Sequence, residues 1–539
     1  MFHSYLRHIF GFPIRALLSV IAGGLMLSPA SADGLAGVVI AVLGSNVLAG
    51  APFDAASLGP MINSLGLTPE QQLRLLDIAS RHQRDLNNPR FLSEVESILD
   101  PVQREKVRQI VRQNAPQVAV PPDAVSKSRA HGVFSTSFLA GIQDRRGNVL
   151  GGTEVVGLTA HQGKLYAATS VWKDNANRGP KRGAQILVLE QIGGRWKLDH
   201  EFDPSLRSIA AMESFSMSRE ESTTAGSGAT DFLFVAPLGP TTKGNRVLYR
   251  RDHSAWQEVQ LARHSPLQAR AFGFHEDQST KESMVLVACQ PGGIFRGVLT
   301  KQGDVHWEPE PELRGYSALP TSFARCNGVL HVAIGSSLYR RQDGVSPSWS
   351  RVLVAPQGAK GNLRGLTSIP SPVGAGQALL AVQDGCGRIL RIDPTEQYRV
   401  DTEVTIAILL RERLGIRSRY VVAARHGMLP ALHPASAESL HMFGIETRVK
   451  SGGRQTFHGW EPGGWMVIRR AADDYELQEI VDPTLEKMPP LVSTRAMALS
   501  PFTSLVNPVL YCGGYNADSG PAHDSAWIFQ ASLAGLLPD

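Results

Sequence analysis

The chain is poor in the residues that metal and redox chemistry need. Four cysteines stand among 539 residues, and the 16 histidines include no His-x-x-x-His pair. Without that spacing or a Cys-x-x-Cys, no zinc or dithiol motif is written into the sequence. Charged residues make up 19% of the chain and aromatics 7%. No Lys/Arg run forms a nucleic-acid patch, and no aromatic RNA-binding motif appears. Gly-x-Ser-x-Gly elbows, phosphate loops and calcium loops of alternating acids are also missing, so no reaction can be named from a motif. No cofactor or metal is expected. The formal charge of +5 and pI of about 9.0 favour acidic partners without implying nucleic acid.

What the sequence does contain is punctuation. Fifty-two glycines and 34 prolines suit a fold rich in turns. An aromatic recurs six times, at Trp196, Trp256, Trp307, Trp349, Tyr398 and Tyr475. Each reads as the start of the last strand in a four-strand unit, and seven such units align. Their first strands read as 155–159, 209–212, 271–274, 321–324, 366–369, 428–432 and 496–499. A repeat of roughly 40 to 75 residues made only of short strands implies a seven-bladed β-propeller. The seventh unit lacks its last strand. Residues 131–140 precede the first unit without a partner, so they are expected to supply it and remove an open edge. In this arrangement Cys289, Cys326, Cys386 and Cys512 fall on different blades or faces, beyond the ~7 Å that a disulfide allows. Free thiols are expected.

The N-terminus reads as an export signal over residues 1–32. Arg7 and Arg15 precede the apolar run 16–27, and an Ala-x-Ala site ends at Ala32. A periplasmic or secreted protein follows, with membrane association only if this apolar segment stays uncleaved. The second apolar run, 35–47, is shorter than the ~20 residues of a spanning helix. Residues 33–114 then form an apolar and helical segment, 115–128 a Pro/Val-rich linker, and 129–535 the propeller. Within the helical segment, Leu67-Thr68-Pro69-Glu70-Gln71 and Leu99-Asp100-Pro101-Val102-Gln103 each place a cap residue three positions before a glutamine. This paired pattern over 67–112 resembles the LTxxQ proteins of the Spy/CpxP kind, with Asp100 where that family has threonine. The resemblance implies a chaperone-like helical segment.

Function is argued from where the fold puts its charges. Arg207, Arg270, Arg364, Arg425 and Arg495 lie at or just before first strands. Inner strands run along a propeller's channel, so these arginines are expected at one mouth, where five like charges require anions or carboxylates. Three long loops between second and third strands share that face. They carry Trp172 and Arg178, Arg448, His458 and Trp460, and Tyr515, Asp518, His523 and Asp524. The leading expectation is binding of an anionic small molecule or glycan, or an acidic envelope protein. A hydrolase or lyase acting on an acidic sugar or ester is the alternative, with His458 or His523 as base and Asp518 or Asp524 orienting it. A third reading makes the propeller a scaffold for the helices.

Overall fold

The computed structural model of the protein describes residues 67–68, 70–71, 74, 97–100, 102–103, 134–172, 182–217, 230–238, 245–252, 254–262, 267–300, 302–354, 361–372, 374–424, 426–449, 459–503, 508–516 and 525–537. Two compact units are present: Met1–Val118 with Ser504–Val506, and Ala119–Thr503 with Asn507–Asp539. The signal segment and the linker lie outside the described residues. In the first unit both capping boxes form. Thr68 and Gln71 exchange backbone-to-side-chain bonds of 2.8 and 3.2 Å, and Asp100 and Gln103 exchange bonds of 3.0 and 2.8 Å. The two glutamine amides then pair with each other at 2.8 and 3.2 Å. Asp100 thus caps as threonine would, because its carboxylate accepts the same N–H.

The second unit is a seven-bladed propeller. Its second strands are unbroken apolar runs such as Phe232–Ala236 and Met284–Cys289, in which each of these side chains is wholly buried. A run of that kind suits a strand covered on both faces. Inner strands are Glu154–His161, Ser208–Met217, Gln268–Glu276, Pro320–Cys326, Leu363–Pro370 and Leu491–Leu499, with blade six discussed below. Inner strands pack on one another from blade one to blade five, blades five and six share one apolar cluster, blade six pairs with blade seven, and the seventh inner strand packs on the first, closing the ring. Blades one to five are separate sheets. Blades six and seven share one nine-stranded sheet, joined where Glu446 pairs with Ser493.

Closure comes from the N-terminal side of the ring. Ser135–Leu139 pairs antiparallel with Ala526–Ser532, placing Phe138 opposite Ile528 and Leu139 opposite Trp527. It is held further by Thr136, whose N–H and hydroxyl both donate to Asp482 at 2.8 and 2.7 Å. It covers the edge that Ala526–Ser532 would otherwise expose.

Why an aromatic recurs becomes clear at the blade interfaces. In blades two, four and six the third strand puts an arginine opposite the aromatic: Arg250 beside Trp256, Arg341 opposite Trp349, and Arg469 opposite Tyr475. Both members of each pair donate to one carboxylate of the preceding blade, respectively Asp199, Glu312 and Glu403. Blade one uses a neutral form, in which Trp196 donates to Ser137 on the closing strand at 3.0 Å. Blade three has Gly297 in the arginine's place. There the aromatic, Trp307, is the last residue of its outer strand Val305–Trp307 rather than the first.

Two further features differ from the sequence reading. Inner strands begin earlier than their apolar stretches because a β-bulge interrupts the alternation near each start. The register slips between Val155 and Gly157, Ile209 and Ala211, Ala269 and Ala271, Pro320 and Ser322, Arg364 and Thr367, and Thr494 and Ala496. Blade six is interrupted outright, its inner edge formed by Ser418–Ala423 and Leu429–Leu432. Before it comes a helix, α1 (Ile406–Leu414), stopped by Gly415 in the left-handed conformation. The four cysteines are unpaired. Among the described residues no helix is long and apolar enough to cross a membrane.

Candidate ligand-binding mouth

Antiparallel pairing puts the starts of inner strands beside the ends of second strands, so both open on one face. Glu154 faces Ser170, Gln268 faces Gln290, and Ser493 faces Tyr515. The bulges lie just inside this mouth. A bulge leaves one residue unpaired and re-aims its side chain. That residue is Arg270 in blade three and Arg495 in blade seven.

The four described arginines of the expected set all lie near the start of an inner strand, at different steps along it. Arg270 and Arg495 share a position, Arg364 is the second residue of its strand, and Arg207 sits one residue before the inner strand of blade two. Arg425 lies outside the described residues, as do Arg178, His458, Asp518, His523 and Asp524. The bulge was invisible as such in the sequence, because its extra residue looks like a strand boundary.

Arg495 is fully engaged on two sides. Its Nε donates to Glu154 at 2.7 Å, and Nη2 donates to Glu446. Burial works against its charge, but Glu154 and Glu446 more than offset that and raise its pKa. Trp172 donates from Nε1 to the other oxygen of Glu154 at 2.7 Å and meets Tyr515 edge-on, 5.3 Å between ring centres. Burial, with Glu446 adding to it, raises the Tyr515 phenol. Beside them the Arg448 guanidinium lies 4.6 Å over the Trp460 ring, and Trp460 packs on Val492 and Tyr515. The structure thus brings Trp172, Arg448, Trp460, Arg495 and Tyr515 together across blades six, seven and one. Glu154 and Glu446, which sequence reasoning missed, hold the group.

Arg364 is also paired, its Nε donating to the buried Asp384 at 2.6 Å. Burial raises Asp384 above the usual carboxylate range, and Arg364 only partly counters this. Arg270 differs from both. Its Nη2 donates to the neutral Gln268 at 2.7 Å, while its buried Nε has no acceptor among the described residues. No carboxylate pairs with it among the described residues. Burial lowers its pKa without an opposing charge. Deeper in the channel, His426 in the break of blade six reaches Glu213 on the inner strand of blade two, 3.5 Å apart. Among the described residues no group of three His, Cys, Asp or Glu could hold a metal.

No family model matches the chain, and no curated protein does. Solved structures similar to it include the following two. One is an ancestral GH74 enzyme at 11% identity and a TM-score of 0.45, covering 75% of this chain and 51% of its own. The other is a candidate gluconolactonase at 9% identity and a TM-score of 0.31, covering 74% of this chain and 92% of its own. The chain thus spans about half the length of the GH74 enzyme. The blade count rests on the strand pairing itself, and neither name carries an activity to this chain. Nor does either comparison support kinship with the Spy/CpxP proteins.

Proposed function

We propose that the protein is an exported propeller that binds an anionic ligand, or an acidic partner in the cell envelope, at the mouth where its inner strands begin. The carrying observation is Arg270, a half-buried cation with a neutral partner and a buried donor without an acceptor. Taking a charge out of water without a counter-charge is costly, and a bound carboxylate or phosphate would remove that cost while accepting a fork of donors. Arg495 and Arg364 have another role in this reading. Arg495 already has two carboxylates and Arg364 one, so they shape and rigidify the rim that holds the ligand.

The test separates the two kinds of arginine. Purified protein is titrated by calorimetry with citrate, galacturonate and glucose 6-phosphate, and with glucose as the neutral control. Arg270→Ala should weaken the anion that binds by ~1 to 3 kcal/mol, the range for hydrogen bonds to charged groups, with little change in melting temperature. Arg495→Ala should instead melt early, since it strands Glu154 and Glu446. If no anion binds the wild type, or Arg270→Ala binds as wild type does, the reading falls.

A further inference from the structure

The insertion in blade six carries a run of exposed arginines. Helix α1 buries Ile406, Leu409 and Leu410 against the core of blades five and six. Arg411 and Arg413 are exposed in its last turn, and Arg417 and Arg419 are exposed just beyond it. Cations in a last turn favour the helix dipole, which accounts for the first two. It does not account for Arg417 and Arg419, which lie past the Gly415 stop. Arg419 is the bulged residue of the strand Ser418–Ala423. Its side chain is aimed by that bulge and has no ion pair among the described residues.

The same strand ties this surface to the mouth. Tyr420, 37% exposed, pairs across the sheet with Arg448, the residue stacked on Trp460. Arg364 and Asp384 are close enough to perturb the Tyr420 phenol, whose pKa burial raises. A strip of arginines and aromatic rings therefore runs from the mouth outward along the insertion. The geometry points to this strip as a binding track for a carboxylated polysaccharide, extending the anion site proposed at the mouth and resting on that reading. Guanidinium forks match carboxylates, and the exposed ring of Tyr420 offers a flat apolar face for a pyranose. Carboxylates are interspersed, with Glu412 between Arg411 and Arg413 and Asp384 beside Arg364. The exposed Glu412 can accept hydroxyls from a sugar chain.

The test uses the full chain and fluorescent polygalacturonate, with dextran as the neutral polymer and single-stranded DNA as the competing polyanion. Wild type should bind polygalacturonate, weaken as salt rises, and ignore dextran. The double variant Arg417→Ala/Arg419→Ala should lose roughly tenfold or more in affinity while its melting temperature stays within a degree or two. Arg417→Lys/Arg419→Lys, which keeps the charge but not the fork, should fall between them. Equal binding by wild type and the alanine variant overturns the track, as does dextran binding as well as polygalacturonate. Tighter binding of DNA overturns the polymer class. Loss of small-anion binding in Arg270→Ala with polymer binding unchanged in the arginine pair leaves the mouth reading standing and sinks only the track.

Discussion

Arg341 is wholly buried and has three carboxylates around it. It donates to Asp277 at 2.9 Å, to Glu312 at 2.9 and 3.0 Å, and to Asp343. Burial alone would raise Asp277, yet the N–H groups of Thr280, Gly344 and Ser279, together with Arg341, hold it below the usual carboxylate range. A buried pair of this kind contributes little relative to an apolar isostere, but breaking it leaves uncompensated charge. Arg341→Ala should therefore destabilise the propeller by ~3 to 5 kcal/mol. Ser137→Ala, which removes the neutral version of the same clasp at Trp196, should cost only ~0.5 to 1.5 kcal/mol. Urea denaturation of the two variants checks the contrast, and equal losses would mean that charge is not what the clasp responds to.

At the scale of elements, the closing strand decides whether the ring is a ring. Five residues, Ser135–Leu139, cover the edge of the seventh blade and bury Phe138. A chain beginning at Gly141 exposes the Ala526–Ser532 edge and the apolar faces beneath it. It should be recovered as aggregate. Removal of 33–117, by contrast, should leave the thermal transition of the propeller in place. Circular dichroism and size exclusion on both truncations measure this, and a soluble, cooperatively melting chain from Gly141 would refute closure by this strand. The insertion before blade six is the other element with consequences. Its apolar residues Ile406, Leu409 and Leu410 have helical spacing and Gly415 follows as a stop, so the helix was legible.

Over the whole molecule, buried histidines contribute to the acid limb of stability. His331 and His441 are buried and neutral, their pKa values lowered to about 4 and about 3 mainly by burial. In the unfolded chain each titrates near its ordinary value of 6.5. The folded values lie lower, so the unfolded chain binds protons first as pH falls. Stability is full above pH ~6.5 and declines toward pH ~4 by about 1.4 kcal/mol per pH unit for each histidine. Asp384, whose pKa is raised, opposes this on the acid side. His441→Leu removes one contributor, one whose ring nitrogens have no hydrogen-bond partner among the described residues. Its melting temperature should fall less steeply between pH 6.5 and 4.5 than that of wild type. An unchanged slope would show that His441 does not carry this dependence.

Fold class was determined by the chain alone, because strand period, turn residues and a repeated aromatic are local signals and seven similar units leave few ways to bury their faces. The lone segment before the first unit even indicated its own partner, since an unpaired edge is costly wherever it occurs. Charge pairing is not local. Glu154 and Glu446 meet Arg495 from blades one and six, across separations of 341 and 49 residues. No spacing rule links such positions. Five arginines with the same place in the repeat looked alike in sequence, and bulges then left two of them out of the strand ladder while neighbouring blades gave one of those two its counter-charges. Tertiary structure alone made Arg495 an anchor and left Arg270 with a donor to offer, because the field around a buried charge is built by whichever blades happen to face it.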